Sequence, residues 1–153
     1  MTYDSSASSF ADGRLAAHGW AADLAGLAWP ERLRRVREDR GFASASFVEL
    51  SISLGRDFGL SPLDRQRWAQ LAVEAALRGT SRRAVELEPL AWAVLGTAHR
   101  VRGGLSRSRA AFLRCQALRH RISDPLEFAD TCSLQAAYCS EIAYWSSIAG
   151  WCE

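Results

Sequence analysis

Large apolar residues recur at helical spacing along this chain, and the pattern is cleanest near its middle. Between Pro89 and Val101 they are Leu90, Trp92, Val94, Leu95 and Val101, with small Ala91, Ala93, Gly96 and Ala98 among them. That set covers one side of a helix. Gly103-Gly104 ends it, since glycine reaches the left-handed backbone region at little steric cost. From Leu105 the pattern resumes through Ala110, Ala111, Phe112, Cys115, Ala117 and Leu118, which predicts a second helix antiparallel to the first. Upstream, Phe47, Leu50, Ile52, Leu54 and Gly55 read as one helix. Ser61-Pro62 opens another that carries Trp68, Ala69, Leu71, Ala72, Val73, Ala76 and Leu77. Downstream, Asp124-Pro125 starts a helix with Phe128, Cys132, Leu134 and Tyr138. Toward the start, Arg14 to Trp29 reads as a lone amphipathic helix broken at Gly19 and Gly26, and Pro30 opens a short basic helix. The run Ser5, Ser6, Ala7, Ser8, Ser9 reads as a disordered leader covering 1–13.

Gly96 inside a helix costs roughly 1 kcal/mol relative to alanine, so its place there implies a close approach of the following helix at small Ser108, with Phe112 closing over the Trp92 and Leu95 side. The spacing W-x2-L-G at Trp92, Leu95 and Gly96, followed by small-x3-F at Ser108 and Phe112, resembles the tetratricopeptide repeat over residues 89–122. Departures are His99 in place of the usual Tyr, Ser108 in place of Ala, Cys115 in place of a small residue and His120 in place of Pro. Weaker units read over 46–78 and 124–153. In the last unit Leu134 and Tyr138 align with Leu95 and His99, Gln135 replaces the glycine, and Ser147 and Trp151 align with Ser108 and Phe112. The resemblance implies an all-α fold, a right-handed superhelical array of antiparallel hairpins with about 6–8 helices. It divides the chain into the leader, N-terminal helices over 14–45, and three hairpins over 46–153, the last incomplete at Glu153. One hairpin cannot bury its own apolar faces, so about three or more are needed. Tyr144, Trp145, Ile148, Trp151 and Cys152 are apolar where a terminal repeat is normally polar. That end is therefore covered by a partner or a second copy, or the chain is the front of a longer array.

Composition agrees with a helical domain: 48% of the 153 residues are hydrophobic and only four are proline. No run approaches the roughly 18–20 apolar residues of a membrane span, and Met1 to Asp12 lacks the features of a signal peptide, which makes the cytoplasm the expected compartment. All 19 basic residues are arginine. GC-rich codon usage accounts for this more simply than phosphate or carboxylate recognition by planar forks. The all-arginine composition and loose repeats also resemble regulatory helical-repeat segments of GC-rich bacteria.

The charge distribution is more informative than its total of +2: residues 1–88 are neutral, 89–123 carry +7 and 124–153 carry −5. The basic block, Arg100, Arg102, Arg107, Arg109, Arg114, Arg119 and Arg121, has the form of a nucleic-acid footprint. It lacks interleaved aromatics, however, and adjoins the acidic Asp124, Glu127, Asp130 and Glu141, so charge complement inside the chain is the simpler account. Arg32, Arg34, Arg35, Arg37 and Arg40 alternate with Glu31, Glu38 and Asp39 and read as a solvated helix face.

Motifs of catalysis are missing from the sequence. Cys115, Cys132, Cys139 and Cys152 contain no C-x2-C pair, and Cys132 and Cys139 lie about 10.5 Å apart along one helix, too far for a disulfide. His18, His99 and His120 are separate, and no phosphate-binding loop, dinucleotide glycine pattern, nucleophile elbow or H-E-x-x-H occurs. The implied function is a non-catalytic protein-interaction scaffold without cofactor or metal. By resemblance its inner first-helix surface holds a peptide at Ala93, Thr97 and Arg100, with an acidic peptide favoured by the arginine. Trp145 and Trp151 are interface anchors at the open end, where self-association is an option. Two other classes stand beside it, a nucleic-acid-binding regulator using the Arg100 to Arg121 face and an enzyme whose site is assembled from distant residues.

Overall fold

The computed structural model describes the backbone of residues 5–149 and the side chains of residues 12–143. Among them the regular structure is entirely helical: α1 Ser5–Ala25, α2 Trp29–Glu38, α3 Ala45–Arg56, α4 Pro62–Arg78, α5 Arg82–Val101, α6 Leu105–Leu118 and α7 Pro125–Ala149, with single 3₁₀ turns after α2 and α6. None of these helices is long and apolar enough to cross a membrane.

Serine opens three of the helices. The hydroxyls of Ser44, Ser61 and Ser81 accept from the backbone N–H of Phe47, Asp64 and Ala84, each satisfying a donor that the first helical turn leaves unpaired. Asp124 does the same for Leu126 ahead of Pro125. At the α5–α6 turn Gly103 has φ 77°, the left-handed conformation expected of a helix-ending glycine. The N–H groups of Gly103 and Gly104 close back onto the carbonyls of Arg100 and His99. The C-terminal end of α1 is satisfied by a side chain from α2, for Arg32 donates to the carbonyls of Ala25 and Leu27.

Three boundaries differ from the sequence reading. Helix α1 begins at Ser5, inside the stretch read as a disordered leader, and continues through Gly19; Ala17, Ala21 and Leu24 are buried and give this helix a tertiary anchor that serine content does not reveal. Helix α5 begins at the Ser81 cap and passes through Pro89. An internal proline costs about 3 kcal/mol. The two turns before it offset that by burying Ala84 and Leu87 and by placing Arg83 against Glu49 and Glu127. Helix α7 is continuous for 25 residues, so the expected third hairpin is not formed between Pro125 and Ala149. From Leu126 to Ala149 there is no glycine or proline to break it.

The odd-numbered helices neighbour one another in chain order, α1 on α3, α3 on α5 and α5 on α7. Helices α4 and α6 fold back against α3 and α5, and α2 lies on α4. The main core fills the space among α1 to α5, where Phe47, Leu71, Leu87 and Val94 are sealed from solvent. Each such side chain contributes about 1.5–3 kcal/mol on burial. A smaller cluster of Ala93, Phe112, Cys115 and Tyr138 joins α5, α6 and α7, and Trp92 and Leu134 touch both.

Candidate functional site

The three residues of the proposed peptide groove have different surroundings. Ala93 is fully buried beneath Phe112, Cys115 and Tyr138. Thr97 is half-buried, and its hydroxyl donates to the Ala93 carbonyl at 3.1 Å. Arg100 donates through Nη1 to Oε2 of Glu141, and its Nε is sealed off without a partner. The groove read from the repeat pattern is therefore occupied in large part by the chain's own α7, which removes Ala93 from reach and neutralises Arg100. Trp151 lies outside the described residues, and Trp145 lies on α7 with its side chain outside them.

The same accounting extends to the basic block. Arg121 pairs with Glu88, and Arg102 and Arg119 donate to the amide oxygens of Gln66 and Gln135. Arg114 stacks over the Trp92 ring, 6.0 Å from its centroid. Arg107 and Arg109 stand exposed on α6 and have no carboxylate partner among the described residues. Charge complement within the chain is real, but its geometry differs from the simple pairing of one basic hairpin with one acidic hairpin. Of the acids of α7, Glu141 reaches the basic block at Arg100, whereas Asp130 and Glu127 pair with Arg56 of α3 and Arg83 of α5, which lie outside it.

Beside Thr97 lies a cavity of about 140 Å³ walled by Arg56, Phe58, Arg65, Val94, Thr97 and Leu134. It is drawn from α3, α4, α5, α7 and the loop before α4. Gly55 makes the close approach possible, because a Cβ there would meet the Val94 Cγ1 at 3.0 Å and the Ala69 backbone nitrogen at 3.2 Å. Arg65 is the unusual wall: it is only 9% exposed, and its Nε is inaccessible and unpartnered. The Phe58 ring lies 4.7 Å from its guanidinium carbon and is itself almost fully exposed. Neither residue stands out in a motif search. A readable signal existed for one of them, since Arg65 lies four, seven and eleven residues before Ala69, Ala72 and Ala76, on the core row of α4.

Burial shifts two titratable groups elsewhere, Cys115 and His99. Burial pushes the Cys115 thiol up to about 11, well away from a reactive thiolate, although nearby Arg119 acts the other way. Burial, reinforced by Arg107 and Arg102, holds His99 below its ordinary value. Among the described residues no group of three or more His, Cys, Asp or Glu side chains could hold a metal ion.

No family model, curated protein or solved structure matches this chain.

Proposed function

We propose that the chain is a non-catalytic protein-interaction scaffold of tetratricopeptide type, a right-handed array of helix hairpins that takes a protein partner on the exposed side of α7. Support for the hairpin reading is local. Gly96 faces the Phe112 ring, Ser108 is fully buried at the α5–α6 contact, and successive odd-numbered helices are neighbours. The observation that carries the binding surface is a stripe on α7. Phe128, Cys139 and Ile142 are exposed and fall within about 60° of one another around the helix, with Arg119 bonded to Gln135 on the same face and lying over the Phe128 ring, while other positions of α7 are tied to the body through Glu127, Asp130 and Glu141. An apolar stripe on an anchored helix is suited to packing against another helix.

The test is affinity capture from native extract with the full chain, together with sedimentation of the protein alone. The double variant F128S/I142S is expected to lose a specifically captured polypeptide, or a concentration-dependent dimer, with its helical circular dichroism unchanged. Equal capture by both proteins, or none by the wild type together with a monomer at all concentrations, sinks the proposal. A second reading, a nucleic-acid-binding regulator, rests on Arg107, Arg109 and Arg114, which have no carboxylate partner among the described residues. Three phosphate contacts predict a log–log salt slope of about −3 for duplex binding. Filter binding without such a slope removes that reading.

A further inference from the structure

Arg65 is only 9% exposed, and among the described residues it has no carboxylate partner. Several arginines that reach into the α3, α5 and α7 contacts are paired with carboxylates, Arg56 with Asp130, Arg83 with Glu49 and Glu127, Arg100 with Glu141 and Arg121 with Glu88, and Arg119 donates to the Gln135 amide oxygen of α7. Among the described residues no side-chain hydrogen bond reaches Arg65, its Nε is sealed off without a partner, and the Phe58 ring beside it comes from an exposed loop. Burying a charge is strongly unfavourable unless it is paired and hydrogen-bonded. The guanidinium borders a cavity whose remaining walls are mostly apolar, and that cavity is where a pairing group has room to enter.

We propose that this cavity binds a small monocarboxylic acid bearing one ring-sized apolar group. The carboxylate accepts from the Arg65 guanidinium, whose fork matches its two oxygens, and the apolar group packs among Phe58, Val94 and Leu134. Size sets the apolar part, since an engineered cavity of about 150 Å³ holds one benzene, against about 140 Å³ here. Charge sets the polar part. Arg56, the other cation in the wall, is already neutralised by Asp130 at 2.7 Å, which leaves one unneutralised positive charge and disfavours a dianion such as phosphate. The Thr97 hydroxyl proton is committed to the Ala93 carbonyl, so Arg65 is the donor that selects the carboxylate. Phe58, exposed beside the guanidinium, closes over the bound acid.

The experiment is thermal unfolding and calorimetric titration of the full chain with sodium benzoate, with benzamide, sodium acetate and sodium phosphate as comparisons at matched ionic strength. Benzoate is expected to raise the Tm saturably, as any ligand specific for the native state does. Benzamide, which keeps the ring without the charge, and acetate, which keeps the charge without the ring, bind at least about tenfold more weakly, and phosphate gives no saturable shift. R65M raises the Tm of the ligand-free protein by removing the unpaired charge and weakens benzoate by at least about tenfold. F58A alters an exposed loop position, leaves the core intact and also weakens benzoate at least about tenfold. No saturable response of the wild type to about 10 mM benzoate overturns the proposal. So does benzamide or phosphate matching benzoate, or undiminished affinity in F58A or in folded R65M.

Discussion

Replacing Gly96 with alanine sets two effects of similar size against each other, and the structure decides the sign. Helix propensity alone favours the substitution by roughly 1 kcal/mol, because glycine loses the most backbone freedom on entering a helix. Against this, a Cβ at position 96 would lie 3.0 Å from Cδ2 and Cε2 of Phe112 and 3.2 Å from its Cζ. Carbon atoms pack at about 3.5–4.0 Å, so the ring must retreat by roughly half an ångström. It has little room to do so. Phe112 is 2% exposed and shares its cluster with Ala93 and Cys115, and the Tyr138 ring of α7 already lies 4.9 Å away between centroids. Overpacking of this kind costs about 1–3 kcal/mol, which leaves G96A less stable than wild type by about 1 kcal/mol. Gly19 is the control: it is helical and exposed, and a Cβ there meets nothing within 4 Å. G19A is therefore expected to stabilise by about 0.5–1 kcal/mol. Urea unfolding followed by far-ultraviolet circular dichroism measures both. A double-mutant cycle with F112L isolates the contact, and G96A should cost at least about 0.5 kcal/mol less when the ring is gone. Wild-type or higher stability of G96A, or a coupling near zero, refutes the reasoning.

Other expectations follow from charge and burial. Cys139 is exposed and Cys115 is buried with its thiol pushed up to about 11, so iodoacetamide at mildly alkaline pH should label Cys139 in the folded protein and Cys115 only after unfolding; labelling at equal rates contradicts the assignment. Removing Arg121 leaves the Glu88 carboxylate, 6% exposed, with only the Trp92 indole N–H at 3.4 Å. R121A should cost about 3 kcal/mol, more than E88Q, which keeps an acceptor for Trp92 and leaves behind the more exposed partner; the reverse order in chemical denaturation counts against the packing described. His99 is held below its ordinary value of 6.5, so the unfolded chain binds more protons in that range. Stability is full above pH 6.5 and falls as the pH drops toward the folded value, ahead of the carboxylates Asp64 and Glu86, which are themselves held low by Ser61 and Arg82. H99Q should flatten the first of these slopes, as measured by urea midpoints against pH.

The helical class, the Ser61-Pro62 and Asp124-Pro125 helix starts and the Gly103-Gly104 turn were legible because each rests on interactions within a few residues. A serine hydroxyl caps the turn that follows it, and glycine reverses the chain wherever it sits. Errors arose where local and distant terms compete. The apolar pattern and the repeat resemblance read the helix from Pro89 onward, yet burial of Ala84 and Leu87 and the ion pairs of Arg83 extend α5 back to Arg82. Repeat alignment reads a third hairpin into 124–153, although its residues contain nothing that turns a helix before Gly150.

The candidate sites depended still more on tertiary placement. Sequence alone determined that Ala93 shares a helix with Thr97 and Arg100, and that Arg65 occupies the same row as Ala69, Ala72 and Ala76, because a 3.6-residue period dictates helical neighbours. It could not determine what covers those rows. The packing of α6 and α7 against α5 buries Ala93 under Phe112, Cys115 and Tyr138, and α7 commits Arg100 to Glu141. Only the meeting of α3, α4, α5 and α7 leaves a cavity at Arg65, whose Nε is sealed without a partner. Periodicity orients side chains around one helix axis, whereas burial and charge pairing depend on a second helix brought from far along the chain.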